Sequence, residues 1–576
     1  MDREKLEHYL RDLRTRQDVT RPPGLPAEVH YPLGEIGIPE HVAHWARTEP
    51  DRPAIVFEGR STSYAELDAL IGAVSGWLHD TGVRPGDRVA VHLPNTPQFI
   101  VAMMAILRLG AVHVPVNPMF QAAELAHELT DSGAEVVVTL DRLLPVLDQV
   151  LDRVPVRQIL VTGADEMAAA ATGPELPAGT PGRTAWSTAA AHAPAPAHPT
   201  DLDALAALNY TGGTTGLPKG CEHTQRHMLY TTASSASAMG RGADGGFIAL
   251  CYIPVFWIAG ENLGVLSPLV LGGTSVLMPR WDPGAALDLL GRHRVSTMVG
   301  TVENYLELLE RPEFADADLS ALDDPMAVSF VRKLSPEVRH RWQSAAGAHS
   351  VLREGAYGMT ETHTFDATPY GLAKDDRDLL AEPVFCGVPV PGTDIAVVSF
   401  ETGEPLPLGE VGEIVVRSPS VMTGYWRNPE ATAAQLRDGW LHTGDNGRIG
   451  EDGSLRYLGR DKDMIKVKGM SVFPAEVELL LTRHPGVRTA AVVPSPHPEK
   501  GQVPVAFVSL EPGEPGEPGE PGAGLTAEGL ESWARSAMAA YKVPKVRIVG
   551  EFPMTTTGKI RKVELVERAR EIVDGG

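Results

Sequence analysis

The most informative stretch of the chain spans residues 211–220 and reads TGGTTGLPKG. It directly follows ALAALNY, an apolar run that is typical of a buried strand. Glycines let successive backbone amides converge on one anion, while threonine hydroxyls add donors and a lysine adds positive charge. The stretch therefore predicts a loop that binds phosphate. The residues of this loop that we expect to contact a nucleotide are Thr211, Gly212, Gly213, Thr214, Thr215, Gly216 and Lys219.

This loop differs from the common P-loop. A P-loop places Gly-Lys-Ser/Thr at the start of a helix. Here Pro218 precedes Lys219 and Gly220 follows it. Taken alone, the segment could also be a glycine turn without function, because short motifs match by chance.

Upstream of the loop, short runs rich in β-branched residues alternate with amphipathic stretches. The runs AIVFEG, DRVAVHLP, HVPVN and EVVVTL predict strands, and QFIVAMMAILRLGAV predicts a helix. Ser63 and Glu66 have the spacing of a capping box, which predicts a helix start after the first strand. Such a series predicts a parallel sheet covered by helices.

Composition changes mark the domain organisation. Residues 163–200 are rich in Ala, Pro, Gly and Thr and predict a surface connection before a second α/β unit near Leu202. Residues 459–576 carry their own strands and helices, which predicts a small α+β domain after a larger domain of residues 1–458. Four EPG triplets at residues 511–522 predict a solvated loop.

The bulk composition excludes several classes of partner. The 576 residues include 74 acidic and 51 basic side chains, and the net charge of -23 repels nucleic acid and anionic membranes. The three cysteines, Cys221, Cys251 and Cys386, form no CxxC pair, so neither a disulfide framework nor a thiolate zinc site is expected. The charged N-terminus lacks the apolar core of a signal peptide and no apolar run could span a bilayer, so we predict a cytoplasmic protein without membrane insertion.

Four further motifs follow the phosphate loop. They are YGMTET at residues 357–362, GWLHTGD at 439–445, GRDKDMIKVKG at 459–469 and TTTGKIRK at 555–562. In this order the five motifs resemble those of the AMP-forming acyl-CoA synthetase superfamily, which also contains luciferases and the adenylation domains of peptide synthetases. The resemblance covers residues 39–562. It implies an α/β fold with a large N-terminal domain of packed α/β subdomains and a small mobile α+β C-terminal domain.

The resemblance also implies roles for single residues. Tyr357, next to Gly358, would stack on adenine, and Thr360 would contact the α-phosphate. Glu361 would hold Mg²⁺. Asp445 would accept the ribose hydroxyls, with Arg460 as its partner on the same sugar.

A rotation of the small domain is implied as well. Lys559 would bridge the carboxylate and the α-phosphate during adenylation, stabilising a transition state that gathers negative charge. The small domain would then turn about Lys462. Lys466, Lys468 and Gly469 would thereby line a pantetheine tunnel for the second half-reaction.

Two stretches depart from the family pattern around the expected acid pocket. Ser329 and Phe330 stand where many members have a Gly-Gly-Ala-Pro-like turn, and Trp257, after Phe256, stands where a histidine is usual. With Glu261 close by, the pocket is expected to favour a short, cyclic or aromatic acid, with an amine-bearing acid as one option. Alternatively, the indole is a gate for fatty tails and Glu261 faces solvent.

A histidine pair lies just after the phosphate loop. His223 and His227 have the spacing of a helical metal pair, but no third ligand accompanies them. We interpret them as part of a polar helix face.

Together these features predict a ligase that uses ATP, Mg²⁺ and coenzyme A to convert a small carboxylic acid into its CoA thioester, as in fatty acid metabolism. One alternative is transfer of the activated group to a carrier protein or an amine, or activation of an oxyanion such as nitrite. A luciferase-like oxygenase and a non-catalytic nucleotide-binding protein are further alternatives. Assembly as a homodimer is left open.

Overall fold

The computed structural model describes residues 3–171, 173, 182–196, 198–211, 217–329, 332–381, 384–468, 470–498, 500–511, 525–554 and 559–573. Its α-helices are α1 (Arg3–Thr20), α2 (Ile38–Thr48), α3 (Tyr64–Asp80), α4 (Pro97–Arg108), α5 (Ala122–Ser132), α6 (Leu144–Asp148), α7 (Trp186–Ala190), α8 (Gln225–Ala238), α9 (Ile258–Glu261), α10 (Ser267–Leu271), α11 (Pro283–Arg292), α12 (Val302–Leu309), α13 (Pro336–Ala346), α14 (Arg377–Leu380), α15 (Pro429–Gln435), α16 (Pro474–Thr482), α17 (Ala527–Ala537) and α18 (Lys562–Val573).

The strands are β1 (Pro53–Phe57), β2 (Arg60–Ser63), β3 (Arg88–His92), β4 (Val112–Pro115), β5 (Val136–Leu140), β6 (Gln158–Thr162), β7 (Arg183–Ala185), β8 (Leu205–Tyr210), β9 (Gly220–Thr224), β10 (Ile248–Cys251), β11 (Thr274–Leu277), β12 (Thr297–Thr301), β13 (Asp324–Val328), β14 (Arg353–Glu354), β15 (Ala367–Thr368), β16 (Val384–Pro389), β17 (Asp394–Val398), β18 (Gly412–Arg417), β19 (Leu436–Arg437), β20 (Trp440–Ile449), β21 (Leu455–Arg460), β22 (Ile465–Val467), β23 (Met470–Val472), β24 (Val487–His497), β25 (Gly501–Leu510) and β26 (Lys545–Ile548).

Two mainly parallel sheets form the first part of the molecule. Their strand orders are β7-β6-β5-β3-β4-β8-β9 and β14-β13-β12-β10-β11-β1-β2. Helix α4 is buried along almost its whole length, and its residues share one hydrophobic core with residues of both sheets. A helix that is apolar all round is one that is covered on every side, which explains the uninterrupted apolar run in its sequence.

The predicted strands and the helix start at Ser63 are confirmed, but the positions predicted for two strands, β1 and β8, are wrong. The side chain of Ser63 accepts from the Glu66 amide, as a capping box requires. Strand β1 lies in the second sheet, parallel to β11, and not beside β3. Strand β8 completes the first sheet beside β4 and does not begin a new unit. Periodicity identifies a strand, whereas its partner is set by packing between distant segments.

Strands β8 and β9 form an antiparallel hairpin in which Tyr210 pairs with Gly220. The phosphate loop connects these two strands, so its two ends are held together by the sheet. Within the predicted surface connection, residues 163–200, the structure places the short strand β7 and helix α7.

The rest of the chain forms two further sheets. One has the order β15-β16-β21-β20-β18-β17, and the other joins β23, β22, β25 and β24, with β26 parallel to β25. The latter packs with α16, α17 and α18 as the small α+β unit expected from the sequence. Strand β21 crosses position 458, so the division between residues 1–458 and 459–576 stays a prediction.

Among the described residues, no helix combines the length and the apolar character needed to cross a bilayer. The three cysteines are free and buried.

Candidate active site

The predicted ribose-binding residues meet on two neighbouring strands. Asp445 of β20 lies directly opposite Arg460 of β21 in the antiparallel pairing, and Arg460 Nε lies 3.3 Å from Asp445 Oδ1. From the other side, the Tyr357 hydroxyl donates a hydrogen bond of 2.9 Å to Asp445 Oδ2. Three motifs far apart in the sequence thus form one corner.

The Asp445 carboxylate is suited to accept hydroxyl groups. Burial raises its pKa, while the Arg460 charge and the Tyr357 hydrogen bond oppose that shift. Its Oδ1 atom is buried and accepts no hydrogen bond within the described residues. A buried acceptor of this kind is satisfied when a bound ligand donates to it.

A strained turn begins within the YGMTET motif, at Thr360. Its first three residues, Thr360–Thr362, form a 3₁₀-helix. The next three, His363, Thr364 and Phe365, have φ values of 56°, 65° and 77°. Three successive non-glycine residues in the left-handed region carry strain that the surrounding structure must offset. Gly358 makes room for the turn, because a Cβ atom there would lie 2.3 Å from the Phe365 nitrogen.

Side chains from several elements hold this turn. His223 Nε2 donates to the Thr360 carbonyl over 2.8 Å, and Asn262 donates to the His363 carbonyl over 3.0 Å. The Thr362 hydroxyl donates to Asp366 Oδ2 over 2.6 Å. Burial raises the pKa of Asp366 to about 7. Sequence reasoning missed these supports, since nothing in THTFD marks a left-handed turn.

The interpretation of the histidine pair as a polar helix face is wrong. His223 lies in strand β9, His227 in the first turn of α8, and both are buried. Burial lowers the pKa of His223 well below its usual value and that of His227 to about 4. The described residues hold no cluster of three or more His, Cys, Asp or Glu that could bind a metal. The pair instead supports the backbone of Thr360.

The phosphate side of the site joins the base of the glycine loop to the metal-binding candidate. The Thr211 amide donates to the Lys219 carbonyl over 3.0 Å, which closes the loop. Lys219 Nζ lies 4.1 Å from the centre of the Tyr425 ring, and the Tyr425 hydroxyl donates to Glu361 Oε1 over 2.7 Å. One ring thus brings Lys219 and Glu361 into the same corner. The predictions for Gly212, Gly213, Thr214, Thr215 and Gly216 lie outside the described residues.

On the acid side, Ser329, in the stretch that departs from the family turn, is hydrogen-bonded to a buried carboxylate. The Ser329 amide and hydroxyl donate to the two oxygens of Glu354, over 3.0 and 2.6 Å. Burial raises the pKa of Glu354, a residue that sequence reasoning missed. Phe256 is buried, with its ring 5.6 Å from that of the half-buried Trp257. The prediction for Phe330 lies outside the described residues.

Glu261 faces the protein interior, so the alternative in which it faces solvent is wrong. Its side chain is 0% exposed. Asn209 donates to Oε2 over 3.2 Å, His113 Nε2 lies 3.9 Å from the same oxygen, and His363 Nε2 lies 3.6 Å from Oε1.

The lysines of the small unit occupy two places. The pKa of Lys559 is lowered, first by the protein that displaces water around it and then by the nearby Arg460 charge. Lys559 is therefore within electrostatic range of Arg460. Lys466 donates to the Ser471 hydroxyl over 2.9 Å, on the exposed hairpin of β22 and β23 that also carries Lys468. Lys462 lies in the 3₁₀ turn Asp461–Asp463, and Gly469 lies outside the described residues.

Comparison with known proteins agrees with this geometry. The family model "AMP-binding enzyme" matches residues 42–426, and "AMP-binding enzyme C-terminal domain" matches residues 476–559. A long-chain-fatty-acid–CoA ligase of Bacillus subtilis is 33% identical over 91% of this chain and 92% of its own length. A feruloyl-CoA synthase of an Amycolatopsis species is 35% identical over 91% and 97%.

Among solved structures, the amide bond synthetase McbA of Marinactinospora thermotolerans superposes with a TM-score of 0.75. It is 29% identical, and the match covers 91% of this chain and 99% of that one. The predicted superfamily and its fold, a large α/β domain followed by a smaller one, are thereby confirmed. On the matched domains and the motifs assembled around Asp445, the chain belongs to the AMP-binding enzyme family of adenylate-forming proteins.

Proposed function

We propose that the chain is an ATP-dependent, AMP-forming carboxylic acid–CoA ligase. The observation that carries this proposal is the corner formed by Asp445, Tyr357 and Arg460, with Lys559 beside it. A buried carboxylate with one unsatisfied oxygen fits a sugar hydroxyl, and two cations next to it fit the phosphate and carboxylate charges of an acid about to be adenylated.

In the first half-reaction, an oxygen of the acid attacks the α-phosphorus in line, the bond to the β-phosphate breaks and pyrophosphate leaves. Asp445 and Arg460 hold the ribose, and Tyr357 packs against the base. Thr360 and Lys219 bind phosphate oxygens. Lys559 neutralises the charge that the acid and the α-phosphate share, an interaction that strengthens towards the transition state.

The residues present fit a magnesium ion of the usual nucleotide-bound kind. Mg²⁺ is commonly held by one or two carboxylates together with substrate phosphates and water. Glu361 supplies one half-buried carboxylate, oriented by the Tyr425 hydroxyl and close to Lys219. When bound there, the ion would offset negative charge on the triphosphate.

In the second half-reaction, the sulfur of coenzyme A attacks the acyl carbonyl carbon and AMP leaves with the electron pair of the broken C–O bond. Lys466 and Lys468, both exposed, lie on the hairpin of β22 and β23, which would face the nucleotide after a rotation at Lys462. Such a rotation lets one site serve two transition states in turn. A cytoplasmic location and a homodimer remain predictions.

Pyrophosphate exchange with ATP tests the first half-reaction. The exchange is measured with benzoate, ferulate, octanoate and palmitate, each with and without Mg²⁺. Formation of a thioester with free coenzyme A tests the second. We expect magnesium-dependent exchange with at least one acid and a thioester of the same acid. Protein that exchanges pyrophosphate with no acid would refute the proposal.

One comparison favours an amine as an alternative acceptor to coenzyme A. The solved relative McbA is an amide bond synthetase, and its match spans nearly the whole chain. Mass spectrometry of the product formed with coenzyme A and an amine present together would separate the two acceptors.

A further inference from the structure

The most unusual group near the acid pocket is the Glu261 carboxylate. It is 0% exposed, yet no lysine or arginine contacts it within the described residues. Asn209 is its hydrogen-bond donor, at 3.2 Å from Oε2. A buried carboxylate without a cation is costly, and such groups are normally paired.

The surroundings of Glu261 are also short of hydrogen bonds. Buried polar atoms are nearly always satisfied in native proteins, so a group of unsatisfied ones indicates a missing partner. The unsatisfied buried atoms around this carboxylate are Oε1 of Glu261, both ring nitrogens of His113, Oδ1 of Asn209, Oδ1 of Asn262 and Nε2 of His363. These residues come from β4, β8, the α9 region and the strained turn, and they surround Glu261 from several sides.

His113 does not supply the missing charge. Burial lowers the pKa of His113 to about 4, so this ring is neutral at physiological pH. Its Nε2 lies 3.9 Å from Glu261, and that of His363 lies 3.6 Å away, both longer than a hydrogen bond.

Trp257 immediately precedes the helix that carries Glu261. The Glu261 amide donates to the Trp257 carbonyl over 2.8 Å, so the two residues bound the first turn of that helix. The indole is half-buried, whereas the carboxylate is deeper. The helix continues as a π-helix, Asn262–Leu266, a form that often marks functional sites. An aromatic face leading to a carboxylate is a common arrangement for binding an organic cation.

This pair lies next to the reacting end of the site. His363, whose ring is near Glu261, belongs to the turn that begins at Thr360, and the His223 ring, 4.8 Å from that of His363, donates to the Thr360 carbonyl. A group bound at Glu261 would therefore lie close to the turn that begins at Thr360.

We propose that Glu261 and Trp257 form a subsite for a cationic nitrogen, so that the acid activated by this chain carries an ammonium group in addition to its carboxylate. The inference rests on the proposed function. The positive charge of the nitrogen would offset that of the buried carboxylate, and an ammonium group that carries N–H would also donate to Glu261 Oε1. Trp257 would cover the alkyl or methyl groups around the nitrogen.

Matched acid pairs test the charge requirement. One pair is 4-(aminomethyl)benzoate and 4-ethylbenzoate, and the other is 4-(trimethylammonio)butanoate and 5,5-dimethylhexanoate. Pyrophosphate exchange gives kcat/KM for each acid with the wild type, Glu261→Gln and the control Glu128→Gln. Glu128 is a buried carboxylate of helix α5 with an unsatisfied Oε2, and it is not among the residues around Glu261.

We expect the wild type to prefer the cationic acid of at least one pair by about 30-fold or more, the size of effect seen when a buried charge loses its partner. Glu261→Gln should abolish that preference while leaving kcat/KM for the neutral acid within a few-fold. Glu128→Gln should keep the preference.

Four results would overturn the inference. The first is a wild type that prefers both neutral acids. The second is an equal loss for cationic and neutral acids in Glu261→Gln, which would make Glu261 a positioning residue for the strained turn. Activity with neutral acids alone would refute the ammonium subsite and leave the ligase proposal intact, whereas no exchange with any acid would refute both.

Discussion

Two buried carboxylates, Asp445 and Glu261, contact residues at or just before the strained turn, and their surroundings differ sharply. Asp445 has a hydroxyl donor in Tyr357 and a cation in Arg460. Glu261 has one amide donor, Asn209, and no lysine or arginine contact among the described residues. The nucleotide half of the site is thus largely complete without substrate, whereas the acid half is incomplete until something binds.

The difference follows from how each half is built. Asp445 and Arg460 are opposite each other on paired strands, so the backbone ladder fixes their distance. The groups around Glu261 come from separate elements that meet only in the folded core. Arrangements of the first kind suit a constant ligand such as ATP, and those of the second kind can vary with the acid.

Removal of Lys559 is expected to have the largest effect. Lys559→Ala should lower pyrophosphate exchange by about 10²- to 10³-fold or more, because one preorganised charge at the reacting oxygens is lost. Thioester formation from supplied acyl-AMP should be largely spared. Rapid-quench assays of the two half-reactions make the comparison.

Lys545→Ala is a suitable control, since this lysine of the small unit is 63% exposed. It should retain both half-reactions. If Lys559→Ala slowed both half-reactions equally, the proposed role of Lys559 in adenylation alone would be contradicted.

The ribose corner should respond more moderately. Asp445→Asn should raise KM for ATP by about 10- to 100-fold, as expected for hydrogen bonds to a charged group. Tyr357→Phe keeps the ring and removes only the donor to Asp445, so its effect should be smaller. Neither change should alter the ranking of acids, which initial rates across an acid panel would show.

Glu451→Gln serves as the control, because Glu451 is 83% exposed in the turn after β20. Its KM for ATP should match that of the wild type. If Asp445→Asn changed the choice of acid as strongly as the affinity for ATP, the two halves would not be independent.

The sequence predicted the nucleotide half much better than the acid half. Each motif around Tyr357, Asp445 and Arg460 is a short continuous run of sequence, and the pairing of β20 with β21 brings Asp445 and Arg460 together. The assignment of β1 to the wrong sheet shows where such reasoning fails, because the choice of neighbouring strand depends on residues far away in the chain. The sequence did not reveal the groups around Glu261 for the same reason, since burial of that side chain cannot be deduced from its neighbours in sequence.

The strained turn gives a pH-dependent prediction. The pKa of Asp366 is raised by burial from 3.8 to about 7, so between these values the folded protein holds a proton that the unfolded chain has lost. The contribution of Asp366 to the free energy of unfolding therefore falls as pH rises from about 4 to 7, with a slope of up to about 1.4 kcal/mol per pH unit.

Asp366→Asn, which stays neutral, should remove that slope. Urea unfolding of both proteins at several pH values in this range measures it. A wild type and variant with parallel pH profiles would show that Asp366 ionises normally in the folded protein.

The smallest change expected for the nucleotide half, and a clear one for the acid half, comes from Trp257→Ala. Removing the half-buried indole enlarges the entrance to the acid pocket, so longer or bulkier neutral acids should gain relative to benzoate by about tenfold, the size of effect that one or two methylene groups have in a pocket. KM for ATP should stay within about twofold, because the indole has no contact with the Asp445 corner among its described contacts.

Trp533→Ala, in helix α17 of the small unit, is the matched control and should leave the acid profile unchanged. Were Trp257→Ala to impair ATP affinity and leave the acid profile as it was, the indole would belong to the nucleotide half, and the contrast between the two carboxylates would lose its structural basis.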